Sequence, residues 1–147
     1  MKPTIKLIPV LIALVVLFSG CLAQSTDSDA GKLTLKGVKF GINLTSALED
    51  AKLQGKPVFV YARSEYCGWC NKFEEETFTN QSVLKALNEN IILVSIDVDK
   101  QINETRNFRI YGTPTEIFLD SNGTEIKRIP GYTDNRTFLD IINEIIK

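Results

Sequence analysis

At 147 residues, the chain is long enough for one domain with a proper core and short appendages. Its 44% hydrophobic and 24% charged residues are ordinary for a globular protein, which excludes wholesale disorder and a multispanning membrane protein. The net charge of -1, without a cluster of Lys and Arg, excludes a nucleic-acid-binding face. The chain has no histidine, which excludes Cys–His and Ser–His catalysis and removes the commonest ligand of zinc and haem iron.

The N-terminal segment has the pattern of an export signal. A short basic start precedes an almost continuous apolar run over residues 7–18, which is shorter than the about 20 residues of a stable membrane span. Small residues then lead to Cys21, and this ending resembles a lipoprotein box, in which the cysteine is lipidated and becomes the new N-terminus. Phe18 departs from that pattern, because leucine is usual there. The alternative is an uncleaved, marginal anchor in which Cys21 has no role.

These patterns divide the chain into three parts. Residues 1–21 are predicted to be a signal peptide or a lipoprotein-type membrane anchor, and residues 22–32, rich in Ser, Asp, Gln and Ala, a flexible tether. Residues 33–147 are predicted to be the domain, exported and anchored to the outer face of the cytoplasmic membrane, outside the reducing cytosol. Lipidation of Cys21 would also account for the odd number of cysteines, 3, and leave Cys67 and Cys70 as a pair.

Strand and helix patterns alternate along the domain. Unbroken apolar runs predict strands buried on both faces, caps and glycines mark the helix ends, and Asn122-Gly123 predicts a hairpin. The predicted strands cover residues 33–40, 58–62, 91–96, 116–120 and 124–129. The predicted helices cover residues 46–54, a segment opened by Cys67, and residues 80–88, 102–108 and 134–146. Crossovers between the strands require a parallel part of the sheet, and the hairpin adds an antiparallel part.

The segment Cys67-Gly68-Trp69-Cys70 joins a predicted central strand to the start of a helix. Unpaired amides and the helix dipole favour negative charge at such a position, so the first thiol is partly thiolate near neutral pH. A thiolate attacks disulfides, and a second thiol two residues further on completes the exchange. The spacing therefore predicts a thiol–disulfide oxidoreductase, with a permanent disulfide or a metal site shared between two copies as alternatives.

Several motifs in the same order resemble a known family. The order of elements, the Cys-Gly-Trp-Cys segment and Thr113-Pro114 resemble the thioredoxin fold. Gly55-Lys56-Pro57 before the strand, and Lys72, Glu75 and Phe78 after the cysteines, are similar to exported thioredoxin-like proteins related to the C-terminal domain of the thiol:disulfide interchange protein. The resemblance covers nearly everything after the tether.

The resemblance implies an α/β thioredoxin fold, a three-layer α/β/α sandwich with a mixed central sheet. Cys67 would be the exposed nucleophile and Cys70 the buried resolving thiol. Pro114 would be cis and face the pair, the backbone of Thr113 would pair with a substrate strand, and Trp69 would cover the sulfurs beside an apolar groove. The alternatives are a turn at Pro114 and a packing role for Trp69. The chain would be a monomer, without a metal or dissociable cofactor.

Two positions depart from the family. Thioredoxins carry a buried Asp where this chain has Tyr61, and a partnering lysine where it has Leu93. A buried carboxylate would then be missing, leaving water, Glu65 or the leaving thiolate of the substrate to deprotonate Cys70. Residues 74–76, three glutamates, are expected to form a solvated helix face, whereas Tyr61, Phe73 and Phe78 are expected in the core.

The predicted direction is reduction of protein disulfides. No histidine between the cysteines stabilises the thiolate, and nearby glutamates disfavour it, which indicates a less oxidising pair. The expected partners are disulfide-containing exported proteins and a membrane or extracytoplasmic thiol redox partner. The alternatives are a disulfide oxidase or isomerase, and a chaperone-like binding module that holds clients beside Trp69 and Pro114.

Overall fold

The computed structural model describes residues 31–147, which contain six strands and five helices. The strands are β1 Lys32–Leu35, β2 Val38–Gly41, β3 Val58–Arg63, β4 Ile92–Asp97, β5 Thr115–Leu119 and β6 Glu125–Pro130. The helices are α1 Leu44–Gln54, α2 Gly68–Thr77, α3 Gln81–Asn90, α4 Ile102–Asn107 and α5 Asn135–Ile145. The predicted signal or anchor, the lipidation site Cys21 and most of the predicted tether lie outside the described residues.

The strands form one mixed sheet in the order β1-β2-β4-β3-β5-β6. β3 lies in the middle, parallel to β4 and antiparallel to β5, and β6 returns antiparallel to β5. The parallel pair follows from the helical crossover after β3, and the β5–β6 hairpin adds the antiparallel edge, as the sequence predicts. The central position of β3 explains its apolar run, because both of its faces are covered.

Helices cover both faces of this sheet and make three layers. On one face, α2, α3 and α5 pack against inward side chains that include Phe40, Phe59 and Phe118. On the other face, α1 and the segment after α4 pack against Val60, Val94 and other aliphatic side chains. The predicted core residues Tyr61, Phe73 and Phe78 are fully buried on the α2 side. The predicted three-layer α/β/α sandwich is confirmed.

The first predicted strand is wrong in detail, because residues 33–40 form a hairpin and not one strand. Lys36 and Gly37 form its tight turn with φ angles of 48° and 89°. Positive φ at both central positions matches the twist of a two-residue hairpin, and glycine adopts it without steric cost. The turn was missed because Lys-Gly lacks the Asn or Asp that marks most such turns.

The start of α1 also differs from the prediction. Its N-cap is Asn43, whose side chain accepts a hydrogen bond from the Ser46 amide at 3.0 Å, so the predicted start at Ser46 lies inside the helix. The helix end is as predicted, because Gly55 takes the left-handed conformation with φ 64° and its amide bonds the Ala51 carbonyl. The predicted cap Asn80 of α3 is confirmed.

Candidate active site

The cysteine pair lies where β3 gives way to α2. Cys67 is the N-cap of α2, and the Cys70 amide donates to its Sγ at 3.0 Å. Cys67 is partly exposed, whereas Cys70, one turn into the helix, is fully buried. The two sulfurs are joined in a disulfide. A partner can therefore reach Cys67 Sγ from solvent while Cys70 Sγ remains covered by protein.

The Thr113–Pro114 peptide bond is cis and precedes β5. Pro114 is buried, Thr113 is half-buried, and both line a pocket of about 340 Å³ together with Trp69, Gly131 and Tyr132. The sequence residues Trp69, Thr113 and Pro114 are thus brought together beside the first turn of α2. An extended chain lying in this pocket would meet the backbone of Thr113 and the Trp69 ring.

Trp69 belongs to a small cluster on the surface. Its ring lies 5.5 Å from that of Tyr132, and Lys72 Nζ is 5.3 Å from the Trp69 ring and 4.8 Å from the Tyr132 ring. The Tyr132 hydroxyl donates to Glu76, and this hydrogen bond raises the pKa of the Tyr132 hydroxyl. Trp69 nevertheless keeps 59% of its surface exposed. The cluster holds the ring in place without covering it.

Two further tyrosines close in sequence to the site residues are exposed. Tyr66, directly before Cys67, is 89% exposed, and Tyr111, two residues before Thr113, is 92% exposed. A second groove with a volume of about 800 Å³ runs from Tyr111 past Pro114 to Arg128. Sequence reasoning missed Tyr66, Tyr111 and Tyr132 as parts of this surface, because an isolated tyrosine carries no local signal of exposure.

Glu74 corrects the prediction of a solvated glutamate face. Glu75 and Glu76 are exposed as expected, but Glu74 is only 4% exposed. Its Oε1 accepts from Arg63 Nε at 2.8 Å and from the Tyr61 hydroxyl at 3.1 Å. Glu74 follows Phe73 on the side of α2 that faces the sheet, and Arg63 at the end of β3 compensates its charge.

Tyr61 connects this ion pair to the cysteines. Its hydroxyl, 3.4 Å from the Cys70 carbonyl oxygen, lies beneath the first turn of α2. Burial and the neighbouring Glu74 carboxylate raise the pKa of the Tyr61 hydroxyl far above its ordinary value, so it stays protonated. In β4, Ser95 lies opposite Tyr61, and Leu93 lies opposite Phe59.

The prediction that a buried carboxylate is missing is wrong. Besides Glu74, Glu116 on β5 is fully buried and pairs directly with Tyr61 across the β3–β5 ladder. Neither carboxyl oxygen of Glu116 has a hydrogen-bond partner among the described residues. Burial raises the pKa of Glu116 to about 8. The two-residue alternation with buried Phe118 is the signal that would have placed Glu116 inside.

Glu65, one of the predicted bases, lies elsewhere. Its side chain is 65% exposed, and its carboxylate is 3.9 Å from Lys100 Nζ. Lys100 itself forms a closer ion pair of 2.9 Å with Asp97. Glu65 is therefore a surface carboxylate that faces Lys100.

Comparison with known proteins places this fold and site in a family. Residues 44–146 match the family model described as a thioredoxin-like domain. The thiol:disulfide interchange protein DsbD of Escherichia coli (strain K12) is 32% identical over 121 residues, which are 79% of this chain and 21% of that protein. The chain belongs to the thioredoxin-like domain family.

Solved structures agree with this assignment. A thioredoxin from Thermus thermophilus superposes with a TM-score of 0.64 at 27% identity, covering 71% of this chain and 84% of that chain. The C-terminal domain of Neisseria meningitidis DsbD in the oxidised form has a TM-score of 0.59 at 17% identity, covering 69% and 92%, and at that identity shows the fold alone.

The fold, the disulfide-forming cysteine pair and the relatives together define a thioredoxin-like thiol–disulfide oxidoreductase domain. The chain spans about a fifth of the length of the curated relatives that it matches. No helix within residues 31–147 combines the length and the apolar character that crossing a membrane requires.

Proposed function

We propose that this protein reduces disulfide bonds of exported proteins while it is tethered to the outer face of the cytoplasmic membrane. The observation that carries the proposal is the half-exposed Cys67 paired with buried Cys70 beside the Trp69–Pro114 pocket. A protein thiol partner at the membrane returns the pair to its dithiol form. No dissociable cofactor takes part, because the two sulfurs carry both electrons.

The exchange proceeds in two displacements. The Cys67 thiolate attacks one sulfur of the client disulfide, and the other client sulfur leaves as a thiolate that takes a proton from water. Cys70, after losing its proton, attacks Cys67 Sγ and releases the second client sulfur. Two electrons pass to the client, and the Cys67–Cys70 disulfide forms.

The pocket beside Pro114 supports a protein client. Thr113 presents its backbone at the edge of the pocket, where an extended client segment can pair with it by strand addition. The exposed ring of Trp69 gives apolar contact area next to the sulfur that reacts. These roles of Trp69, Thr113 and Pro114 are part of the proposal.

The surroundings of the cysteines support reduction more than oxidation. Gly68 and Trp69 offer no positive charge to the Cys67 thiolate, and Lys72 is engaged with the Trp69 and Tyr132 rings. Strong oxidants of disulfides depend on a stabilised reduced form. Without such stabilisation, the pair is expected to give its electrons to clients.

A variant pair tests the reaction. In Cys70→Ser, Cys67 still attacks a client disulfide but the resolving thiol is absent, so a mixed disulfide with a disulfide-bonded peptide accumulates on non-reducing gels. The matched Cys67→Ser chain forms none, and both variants lose turnover in the presence of dithiothreitol. Full turnover by Cys67→Ser would contradict the proposal.

The aromatic surface favours a second candidate, a chaperone-like binding module. Tyr66, Trp69 and Tyr111 are exposed around the pair, which is a suitable surface for unfolded clients. If Cys67→Ser keeps full client binding and the function in cells is unchanged, the module explains the protein better than the enzyme does.

The membrane tether is proposed from the sequence of residues 1–21. If Cys21 carries lipid, the full chain partitions with membranes, and Cys21→Ser moves it to the soluble fraction or leaves an uncleaved precursor. An unchanged mass and distribution of Cys21→Ser would contradict lipidation.

A further inference from the structure

Glu116 is a buried carboxyl group that the reaction above leaves without a role. It is fully buried, and both carboxyl oxygens lack hydrogen-bond partners among residues 31–147. Burying an unpaired carboxylate is costly, so such a group either stays protonated or is compensated by neighbours. An apolar side chain at this position would occupy the same buried space without that cost, so a function of its carboxyl group would explain why glutamate is present.

The position of Glu116 relates it to the cysteine pair by two independent routes. Along β5 it is two residues after cis Pro114, so both side chains lie on the same face of the strand. Across the sheet it pairs with Tyr61, whose hydroxyl lies 3.4 Å from the Cys70 carbonyl oxygen. Directly paired side chains on one face have Cβ atoms about 5 Å apart. Glu116 therefore lies in the buried layer under the first turn of α2.

Within residues 31–147, the charged and titratable groups on this side come from β3, α2, β6 and the turn after β6, where Tyr132 packs against the same core. β3 contributes Tyr61 and, at its end, Arg63, while α2 contributes Glu74 and the cysteine pair. On β6, Ile129 is opposite Glu116, and the exposed Lys127 lies two pairs further along, opposite Phe118. The residues of α5 that are buried on this face are apolar, Phe138 and Ile142.

Glu74 already has an ion-pair partner, whereas Glu116 has none among the described residues. The Glu74 carboxylate accepts from both Arg63 and Tyr61, so its charge is compensated by an ion pair. Within residues 31–147 no side chain donates to the Glu116 carboxyl group, and burial raises its pKa to about 8. At neutral pH the disulfide form thus holds one proton on a carboxyl group of the buried layer.

We propose that Glu116 holds and supplies the proton that Cys70 gains when the Cys67–Cys70 disulfide is opened, and takes that proton back when the disulfide closes. The inference rests on the proposed exchange at this pair. In this role Glu116 exchanges a proton with Cys70 Sγ, a reacting atom, from the layer beneath α2, and it does not touch the client.

The thiolate of the reducing partner attacks Cys67 Sγ, the Cys67–Cys70 bond breaks, and its electron pair goes to Cys70 Sγ. The Glu116 proton moves to this sulfur, and Glu116 stays a carboxylate as long as Cys70 holds that proton. Because Cys70 is fully buried, a thiolate left there without the proton would be poorly solvated. In the opposite direction, the Glu116 carboxylate removes the Cys70 proton before Cys70 attacks the mixed disulfide.

The test compares wild type with Glu116→Gln in the full chain. The rate at which dithiothreitol reduces the oxidised protein is measured from about pH 6 to 9.5. The fluorescence of Trp69 reports the reaction, because the chain has 1 tryptophan. The dithiothreitol thiolate fraction is the same for both proteins at each pH, so it cancels in the ratio of their rates. Glu49→Gln, which removes an exposed carboxylate on α1, is the matched control.

The expected ratio of wild-type to Glu116→Gln rates is about tenfold or more near pH 6.5, and it falls towards one above about pH 9, where Glu116 has lost its proton. A purely structural effect of the substitution would change the rate by the same factor at every pH. A ratio that does not vary with pH overturns the role of Glu116. A wild-type protein with no reversible exchange overturns the proposed function instead.

A second measurement keeps the inference testable if Glu116→Gln does not fold. The infrared difference spectrum between oxidised and reduced wild type should contain the C=O band of a protonated carboxyl group that shifts in D2O and disappears as the pH rises past about 8. If no protonated carboxyl band changes with the redox state, the inference is wrong.

Discussion

Glu74 and Glu116 are two buried carboxyl groups on the same side of the sheet with opposite surroundings. Glu74 accepts from a cation at 2.8 Å and from a phenol at 3.1 Å, whereas no side chain in the described part of the chain donates to Glu116. A buried carboxyl group beside a cation can stay ionised, whereas a buried carboxyl group without a nearby cation keeps its proton. Two carboxyl groups in such different surroundings can have separate roles. Glu74 would position α2, and Glu116 would exchange a proton with Cys70.

Removing Arg63 should lower the free energy of unfolding, because the buried Glu74 carboxylate loses its ion-pair partner. Arg63→Met leaves a buried carboxylate uncompensated, and we expect a loss of about 3 kcal/mol in the free energy of unfolding. Urea denaturation at neutral pH measures it. The matched double variant Arg63→Met with Glu74→Gln should recover most of the loss, since the amide oxygen still accepts from Tyr61. Equal losses in the single and double variants would show that the ion pair does not compensate Glu74.

Glu116 should make stability depend on pH. Its folded pKa of about 8 exceeds the unfolded value of 4.5, so between these values the folded chain holds a proton that the unfolded chain has lost. The favourable contribution of the protonated form is complete below pH 4.5 and is lost as the pH rises to about 8. Relative to Glu116→Gln, wild type should lose about 1.4 kcal/mol of unfolding free energy per pH unit across this window.

Denaturation of both proteins at several pH values checks this expectation. Because the other carboxyl groups titrate alike in the two chains, the difference between their curves isolates Glu116. A difference that is constant from pH 5 to 8 would mean that Glu116 keeps its ordinary pKa in the folded protein.

At the scale of elements, the sequence predicts what local chemistry decides. Asn80 caps α3 by accepting from the Ser82 and Val83 amides at 3.0 and 3.2 Å, and Gly55 ends α1 with a positive φ. Both signals lie within one turn of the helix end that they determine. The β1–β2 hairpin and the burial of Glu74 escaped prediction, because pairing partners and the side of a helix that meets the sheet depend on residues far along the chain.

The cap of α3 provides a local prediction. Asn80→Ala leaves two amides of the first turn without an acceptor and should cost about 1 kcal/mol of unfolding free energy. Asn88→Ala, an exposed change inside the same helix, is the control and should be neutral or slightly stabilising. Urea midpoints of the two variants make the comparison, and equal midpoints would show that the cap contributes nothing.

The site residues also divide into those that a local sequence signal reveals and those that only the fold reveals. Cys67, Trp69 and Cys70 are found from one short segment, and Pro114 from its resemblance to the family. Glu116 was visible in the sequence only as the start of a strand. Its place beside Tyr61 follows from the β3–β5 register, and a register between strands more than fifty residues apart is a property of the whole fold.

At the scale of the whole molecule, the sheet brings three distant segments to one end. The start of α2, the cis proline before β5 and the turn at Tyr132 after β6 surround one pocket. This convergence makes the disulfide accessible from one side and keeps Cys70 covered from the other. Thiol–disulfide exchange with a protein client needs both properties, because the client must reach Cys67 while the intermediate is resolved from within.

The reduction potential of the Cys67–Cys70 pair tests the central claim most directly. Full-length protein would be equilibrated in thiol buffers of defined potential, with Trp69 fluorescence as the reporter and Cys67→Ser as the control without a transition. If the protein is a reductase, we expect reversible oxidation of the pair with a reduction potential near the thioredoxin value of about -270 mV. A value between about -120 and -180 mV would instead indicate an oxidase or isomerase and contradict the proposed direction.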